Sequence, residues 1–421
     1  MYKTLKNTLV ISSLLLSINT LFANSDDIKT IRFNTFGDIS NIDSSDFLDK
    51  NPEIELEVIS NHWAGHHNAL FEHLLFGDDW GDLITVDSSM LGRVINRVDL
   101  LDLEKLNVEG VSDIPSEIKI KGRSLSGGLQ SLPLTLGIST LFYRDDVIAQ
   151  NSTSIENVIS DWESFIEFGR KLKSDNIKLI NNANSIISVI IESDLGDDRY
   201  LYFNNQLTLN VKNKRVLRAF ELAKIIHEEG LSLETGLWND NWYESFRENN
   251  ATVFSELNGE WLIRPLKTWI ASENSGVWKL SVLPENDAGI YGGFDIVIPS
   301  STKYPSEIKS YINYLFEENN ILERFMNFGF FPANKSLYSN VIFDQKDEFF
   351  GDQRIYQAVI KNADNLSSFK STPYDYYINL KIQEAFVKVI NDEMTIDEAL
   401  EEVEVLTKEL INKTQSQAGK K

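Results

Sequence analysis

The chain has 421 residues, 42% of them hydrophobic and none of them cysteine, with 40 basic against 63 acidic side chains for a formal net charge of −23. That length and apolar content exclude a disordered or fibrous chain and suit two domains, each with its own core. The acidity argues against nucleic acid or an anionic membrane as partner and mildly disfavours a strongly anionic ligand; the missing cysteines exclude disulfides and a lipid-modified cysteine anchor.

The first residues, MYKTLKNTLVISSLLLSINTLFANS, set Lys3 and Lys6 before an apolar run over Leu9–Ile18 and a small residue at Ala23. This is the form of a secretory signal peptide over 1–23, too short for a membrane span. Leu21, two places before the cut, is a poor cleavage-site residue. No later apolar run approaches about 18 residues. The expectation is a freely diffusing, monomeric periplasmic protein of a Gram-negative cell.

From Lys29 short apolar runs alternate with helical patterns, the signature of an α/β fold. Ile31, Phe33 and Thr35 read as a first strand and Ile54, Leu56 and Val58 as a second, with a short helix between them. After Asn61-His62-Trp63 a helix is expected over His66–Phe76, then a strand at Leu83–Val86 ending in Asp87. Leu129–Leu134 and Ser139–Tyr143 read as paired strands. Ser160 and Glu163 have capping-box spacing before a helix whose face carries Trp162, Phe165, Ile166 and Gly169. Val216, Phe220, Ala223 and His227 mark another helix, with His227 near its C-terminal end, where a cation suits the dipole. Aromatics then crowd the chain at Trp238, Trp242, Tyr243, Phe246, Trp261, Trp269 and Trp278, with a strand over Ala251–Phe254. Trp162, Trp269 and Trp278 are read as core.

The most informative stretch is Gly292–Asn334. Phe294–Ile298 is a buried strand entered from a Gly pair and stopped by Pro299. Pro305 opens a helix with Ile308, Tyr311, Ile312, Leu315 and Phe316 on one face. A second helix carries Ile321, Leu322, Phe325 and Met326, with Gly329 as a left-handed cap and Pro332 forbidding continuation. Further on, Pro373-Tyr374-Asp375-Tyr376-Tyr377 precedes a helix, and Thr395-x-x-Glu398 caps a last one with Ala399, Leu400, Val403 and Leu410 on its face. The tail over 414–421 is polar and expected to be disordered.

The order strand, helix, helix, stop, with Gly292, Gly293, Gly329 and Pro332 as punctuators, resembles the C-terminal half of the extracellular solute-binding proteins of sugar ABC transporters, the maltose-binding-protein group. Tyr143-Arg144-x-Asp146, the W-x-x-F of Trp162 and Phe165, Asn258-Gly259-Glu260-Trp261, the aromatics at Tyr374, and the Thr395 to Leu400 element are similar to family elements in the same order. The resemblance covers nearly all of the mature chain. It implies a two-lobed, type II-like periplasmic-binding-protein fold, lobe one from 26–144 plus 290–333 and lobe two from 145–289 plus 334–413. It also implies capture of a mono- or oligosaccharide between the lobes and delivery to a membrane permease, without a cofactor. The number of aromatics favours an oligosaccharide over a polyol.

Ligands of open α/β sheets sit at the carboxyl ends of strands. Asp87 is therefore a candidate to accept hydrogen bonds from sugar hydroxyls, unless it merely caps the helix beginning near Ser88. Trp261 is the leading candidate for stacking on a pyranose, a core role being its alternative. The other candidate contacts are Trp63, Trp242, Tyr374 and the Gly292–Gly293 backbone, with Tyr291 at the hinge. Phe331 either reaches the cleft or packs.

Two other chemistries need weighing. His62, His66 and His73 would share one face of a continuous helix, as a zinc or copper site requires; with His62 in a loop, His62 and Trp63 line the cleft and the other two pack or face solvent. No G-x-S-x-G, P-loop, H-E-x-x-H or cysteine nucleophile is present, so no enzyme is expected, although a glycosidase carboxylate pair is a spatial feature. A ligand sensor feeding a chemoreceptor or sensor kinase would have the same sequence features.

Overall fold

A computed structural model describes residues 28–76, 79–193, 195–247 and 252–418. The signal-peptide reading lies outside these residues. Among the described residues eight strands form one mixed sheet: β1 (Lys29–Phe36), β2 (Ile54–Asn61), β3 (Leu83–Asp87), β4 (Leu132–Arg144), β5 (Lys178–Ile180), β6 (Val253–Gly259), β7 (Trp278–Ser281) and β8 (Ile290–Val297). Their order is β2-β1-β3-β8-β4-β6-β5, with β7 also paired to β4. β1 runs parallel to β2 and β3, and β5 parallel to β6, while β8 and β4 are antiparallel to their neighbours.

β4 joins two halves of the sheet. Leu132 to Ile138 pair with β8, whereas Ser139 to Tyr143 pair with β6 and Leu141 to Arg144 with β7. The expected pair of strands on either side of Gly137 is thus one strand that changes partners. Pro133 and Gly137 mark the two register shifts at which β4 bends.

Side-chain alternation along β4 feeds two cores. Leu141 and Tyr143 join Phe254 and Leu257 under the helices Trp162–Leu172, Lys214–Glu228, Asp375–Ile390 and Ile396–Ala418. Phe142 faces the other way, into a cluster running from Phe33, Ile296, Ile308 and Tyr311 to Trp242, Trp278, Phe350 and Ile355. Period-two strands and period-3.6 helices supply these faces as their patterns require.

Several local readings change. The helix expected from His66 begins at Trp63. Between β1 and β2 lie two short helical segments, Gly37–Asn41 and Ser45–Lys50. β6 extends five residues beyond Phe254, and β8 starts four before Phe294, so the Gly pair lies inside the strand. The helix of Trp162 is capped by Asp161, whose carboxylate accepts from the Ser164 amide, rather than by Ser160. Trp269 is 50% exposed and not core, whereas Trp162 and Trp278 are buried. Residues after Lys413 continue the last helix to Ala418. Its start does carry the capping box: Thr395 Oγ1 accepts from the Glu398 amide at 3.2 Å, and Glu398 accepts from the Thr395 amide at 2.9 Å. Gly329 ends the helix Glu318–Phe328 at φ +76°, and the buried Phe331 accepts the Leu136 amide of β4 through its carbonyl at 2.8 Å.

Where β8 meets β4, between the pairs Leu136–Gly293 and Ile138–Ile290, two residues of β8 (Tyr291 and Gly292) oppose one of β4 (Gly137), a bulge. Gly292 and Gly293 have φ of +85° and +100°, which only glycine adopts without strain. Opposite them, a Cβ on Gly137 would lie 2.4 Å from the Tyr291 carbonyl oxygen and 2.6 Å from Gly292 C. Gly137→Ala is expected to cost about 1–3 kcal/mol in urea denaturation, as overpacked backbone must shift. Gly236→Ala, whose nearest neighbour would be Asn239 Nδ2 at 3.6 Å, should leave the midpoint within about 0.5 kcal/mol.

Candidate functional site

β1 and β3 are parallel, so Phe36 and Asp87 end on one edge of the sheet, where the antiparallel β8 enters with Phe294 opposite Asp87. Asp87 is buried, and its two oxygens do different work. Oδ1 accepts from the Ser89 amide at 2.9 Å and the Ser89 hydroxyl at 2.6 Å, while Oδ2 accepts the Trp63 indole N–H at 3.0 Å. One carboxylate therefore both makes the Ser89 turn and holds the Trp63 indole. Trp63 is 42% exposed, so its N–H is tied down while much of its ring faces solvent.

From Asp87 the contacts run on without a gap. The Ser88 amide donates to the Gly293 carbonyl at 3.4 Å. Gly292 leads to Tyr291, whose carbonyl accepts the Trp261 indole N–H at 2.9 Å. Trp261 lies so close to its own strand that a Cβ on Gly259 would sit 2.1 Å from its Nε1. The N-G-x-W turn thus needs its glycine to lay the indole along the crossover. Trp238 stacks on Trp261 with ring centroids 5.6 Å apart and planes 21° apart.

Six of the eight sequence candidates are therefore contiguous: Trp63, Asp87, Gly293, Gly292, Tyr291 and Trp261. Trp242 is not among them. It is fully buried, donates its indole N–H to Glu256 at 3.2 Å, and lies under Trp238 with centroids 5.2 Å apart, so it supports the platform and presents no face. Tyr374 is half-buried, held between the Arg97 guanidinium at 5.6 Å from its ring centroid and Phe203 at 6.2 Å.

Two aromatic residues enter that sequence reasoning missed. Trp238 is 49% exposed at φ +63°, an uncommon backbone state for a bulky side chain. Its spacing of four before Trp242 was the available signal. Tyr376 packs on the cluster of Leu70, Val86 and Leu91 beside Asp87. Burial raises the phenol pKa values of Tyr291 (to about 12) and Tyr376, and the Asp87 charge adds to both, placing that carboxylate near each ring.

The histidines do not form a metal site. His66 and His67 are buried in the sheet–helix interface, while His62 is exposed and accepts the Gly65 amide at 3.1 Å. His66 donates from Nε2 to the Thr85 carbonyl at 2.7 Å, and burial pulls its pKa down to about 4, so it is neutral core. Among the described residues no group of three or more His, Cys, Asp or Glu side chains could hold a metal ion. Among the same residues no helix is long and apolar enough to cross a membrane.

A model of the bacterial extracellular solute-binding proteins matches residues 45–351. The chain belongs to this family. Its similarity to a lactose-binding protein of Rhizobium radiobacter is 23% identity over 282 residues, 63% of each chain. In fold it is similar to an extracellular solute-binding protein of family 1, with TM-score 0.78 at 18% identity over 90% of this chain and 99% of that one. The sugar-binding protein MalE of Xanthomonas citri gives TM-score 0.75 at 18% identity over 93% and 100%. The binding protein of B. animalis subsp. lactis Bl-04 in complex with β-1,6-galactobiose gives 0.73 at 17% over 93% and 98%. The solute-binding family's two-lobed α/β architecture is therefore the architecture of this chain, with β4 and β8 at the crossover.

Behind Asp87 lies a second carboxylate. Asp295 is buried, accepts from the Ser88 hydroxyl at 2.6 Å and the Ser131 hydroxyl at 3.3 Å, and is pushed by burial up to about 6 from 3.8. The folded protein holds this proton more tightly than the unfolded chain, so its contribution favours folding at low pH and is lost as pH rises from about 4 to about 6. Asp295→Asn is expected to remove that loss, which is of the order of 3 kcal/mol. Urea midpoints at pH 4 and 7 check it: the variant should gain stability relative to wild type between the two.

Proposed function

We propose that this chain is the substrate-binding component of a bacterial ABC importer that captures a carbohydrate, an oligosaccharide rather than a polyol, at the crossover between its lobes. The carrying observation is the run from Trp63 and Asp87 through Gly293, Gly292 and Tyr291 to Trp261 and Trp238: half-exposed indoles, Trp63 and Trp238, at its two ends, with the buried Asp87 carboxylate beside the first. Indole faces cover the apolar C–H surface of a pyranose, and a carboxylate accepts from its hydroxyls. Tyr376, beside Asp87, extends the aromatic lining.

The curated relative is named for lactose, and similar folds are described with β-1,6-galactobiose, lacto-N-biose and maltose, others with ribitol and D-mannitol. We take a β-galactoside disaccharide as the first cargo to test. In this reading residues 1–23 are a cleaved signal peptide and the mature monomer works in the periplasm without a cofactor. Residues 26–144 plus 290–333 form lobe one and 145–289 plus 334–413 lobe two, the change of partners along β4 at Ile138 and Ser139 supporting a hinge there. Ligand favours the closed form because only then do both lobes touch it, and the closed pair of lobes docks on a membrane permease. No residue in this site has a catalytic role.

Calorimetric titration of lactose and β-1,6-galactobiose into the mature protein tests the site. Trp261→Ala and Asp87→Asn are each expected to weaken binding by about tenfold or more. Wild-type affinity in both variants, with the fold intact by circular dichroism, would place the sugar elsewhere.

A further inference from the structure

Trp63, His67 and Asp87 close a ring of hydrogen bonds. The Trp63 indole N–H donates to Asp87 Oδ2 at 3.0 Å, the Asp87 backbone N–H donates to His67 Nε2 at 3.0 Å, and His67 Nδ1 lies 2.7 Å from the Trp63 carbonyl oxygen. A carbonyl can only accept, so Nδ1 carries the hydrogen; a backbone N–H can only donate, so Nε2 must be bare. The ring thus requires one tautomer of a neutral imidazole. A protonated His67 would present two N–H groups, and its Nε2–H would face the Asp87 amide hydrogen.

His67 touches no solvent (1% exposed) and sits among Phe36 at 4.8 Å, Trp63 at 4.9 Å and His66 at 5.0 Å between ring centroids. The ionisable groups facing it are His66 on its own helix and Asp87 at the end of β3; β1 contributes the uncharged Phe36. We propose that His67 is the positioning residue of the sugar site, its neutral ring locking the Asp87 backbone to the Trp63 backbone so that carboxylate and indole meet the ligand together, and that its protonation loosens both and releases sugar. This rests on the carbohydrate reading above. Burial lowers the His67 pKa below its ordinary 6.5 against the opposing pull of the Trp63 carbonyl and then of Asp87, which keeps the ring neutral where the protein works and puts the release on the acid side.

Two measurements separate this role from the function. In the ligand-free mature protein, the indole N–H proton resonance of Trp63, assigned by its loss in Trp63→Phe, is followed by NMR as pH falls below 6.5. Wild type should show a titration step that His67→Gln lacks, because an amide oxygen can accept from Asp87 and its NH2 can donate to Trp63 without titrating. The same Trp63 profile in both proteins would overturn the role of His67. Lactose and β-1,6-galactobiose are then titrated into the same proteins. At pH 7.5 His67→Gln should bind within about threefold of wild type and His67→Leu about tenfold more weakly. Below pH 6.5 the affinity of wild type should fall relative to His67→Gln. Equal affinity of wild type and His67→Leu, or parallel pH profiles of wild type and His67→Gln, would contradict the proposal. If wild type binds neither sugar while the NMR step is present, it is the carbohydrate assignment that fails.

Discussion

The structure depends on how two strands pass from one half of the sheet to the other. At the crossover β4 and β8 lose regular register, and the peptide groups that lose strand partners need others, since an unpaired buried amide costs roughly as much as a lost hydrogen bond. Two carboxylates, the buried Glu260 and the half-buried Glu192, supply them. The Ile138 amide donates to Glu260, and the Ile290 amide donates to Glu192 at 2.9 Å. Burial raises the pKa of both acids, that of Glu260 far above its usual range. Polar groups fixed at this place let the chain bend here without leaving the interior unsatisfied.

The same constraint builds the site. Because β8 must bulge opposite Gly137, Tyr291 turns its carbonyl outward to the Trp261 indole. Because the Gly259 position has no Cβ, Trp261 can lie flat along that carbonyl. At the other end, the parallel pairing of β1 with β3 brings Asp87 to the helix that starts with Trp63, and buried Asp295 braces Ser88 between them and the glycines. In the proposed reading, hinge and binding surface are one piece of backbone, and a movement of the lobes there changes the spacing of the indoles, which is how a ligand held by both would bias that movement.

Much of this was legible where a residue's backbone needs are unusual. Gly292, Gly293, Gly329 and Pro332 have no common alternative reading, so they located the strand and its exit. Asp87 and Trp261 followed from strand ends and a glycine turn. Tryptophan roles were harder, because the same side chain is apolar core at Trp242 and Trp278, a platform at Trp238 and surface at Trp269. Only the left-handed backbone of Trp238 and the hydrogen bond of Trp242 to Glu256 separate them, and neither has a sequence pattern. The histidine spacing alone would suit a metal face on one continuous helix; the loop position expected for His62 decided against it, and the helix does start after His62, with burial making His66 and His67 neutral hydrogen-bonding groups. The stretch between Leu134 and Ser139, with Gly137 in it, read as a break between two strands for want of the partner strand that bends one long strand there.

The central claim is that a carbohydrate is the ligand of the folded protein, and a thermal-shift panel of sugars on the purified mature protein, with zinc and chelator wells beside them, tests it most directly. A ligand bound only by the folded state at about 100 times its Kd adds about 2.7 kcal/mol. The account predicts that β-galactoside disaccharides raise the melting temperature by a few degrees, that polyols raise it less, and that zinc and chelator leave it unchanged. A panel in which no sugar moves the transition, or in which only zinc does and chelator reverses it, would contradict the account.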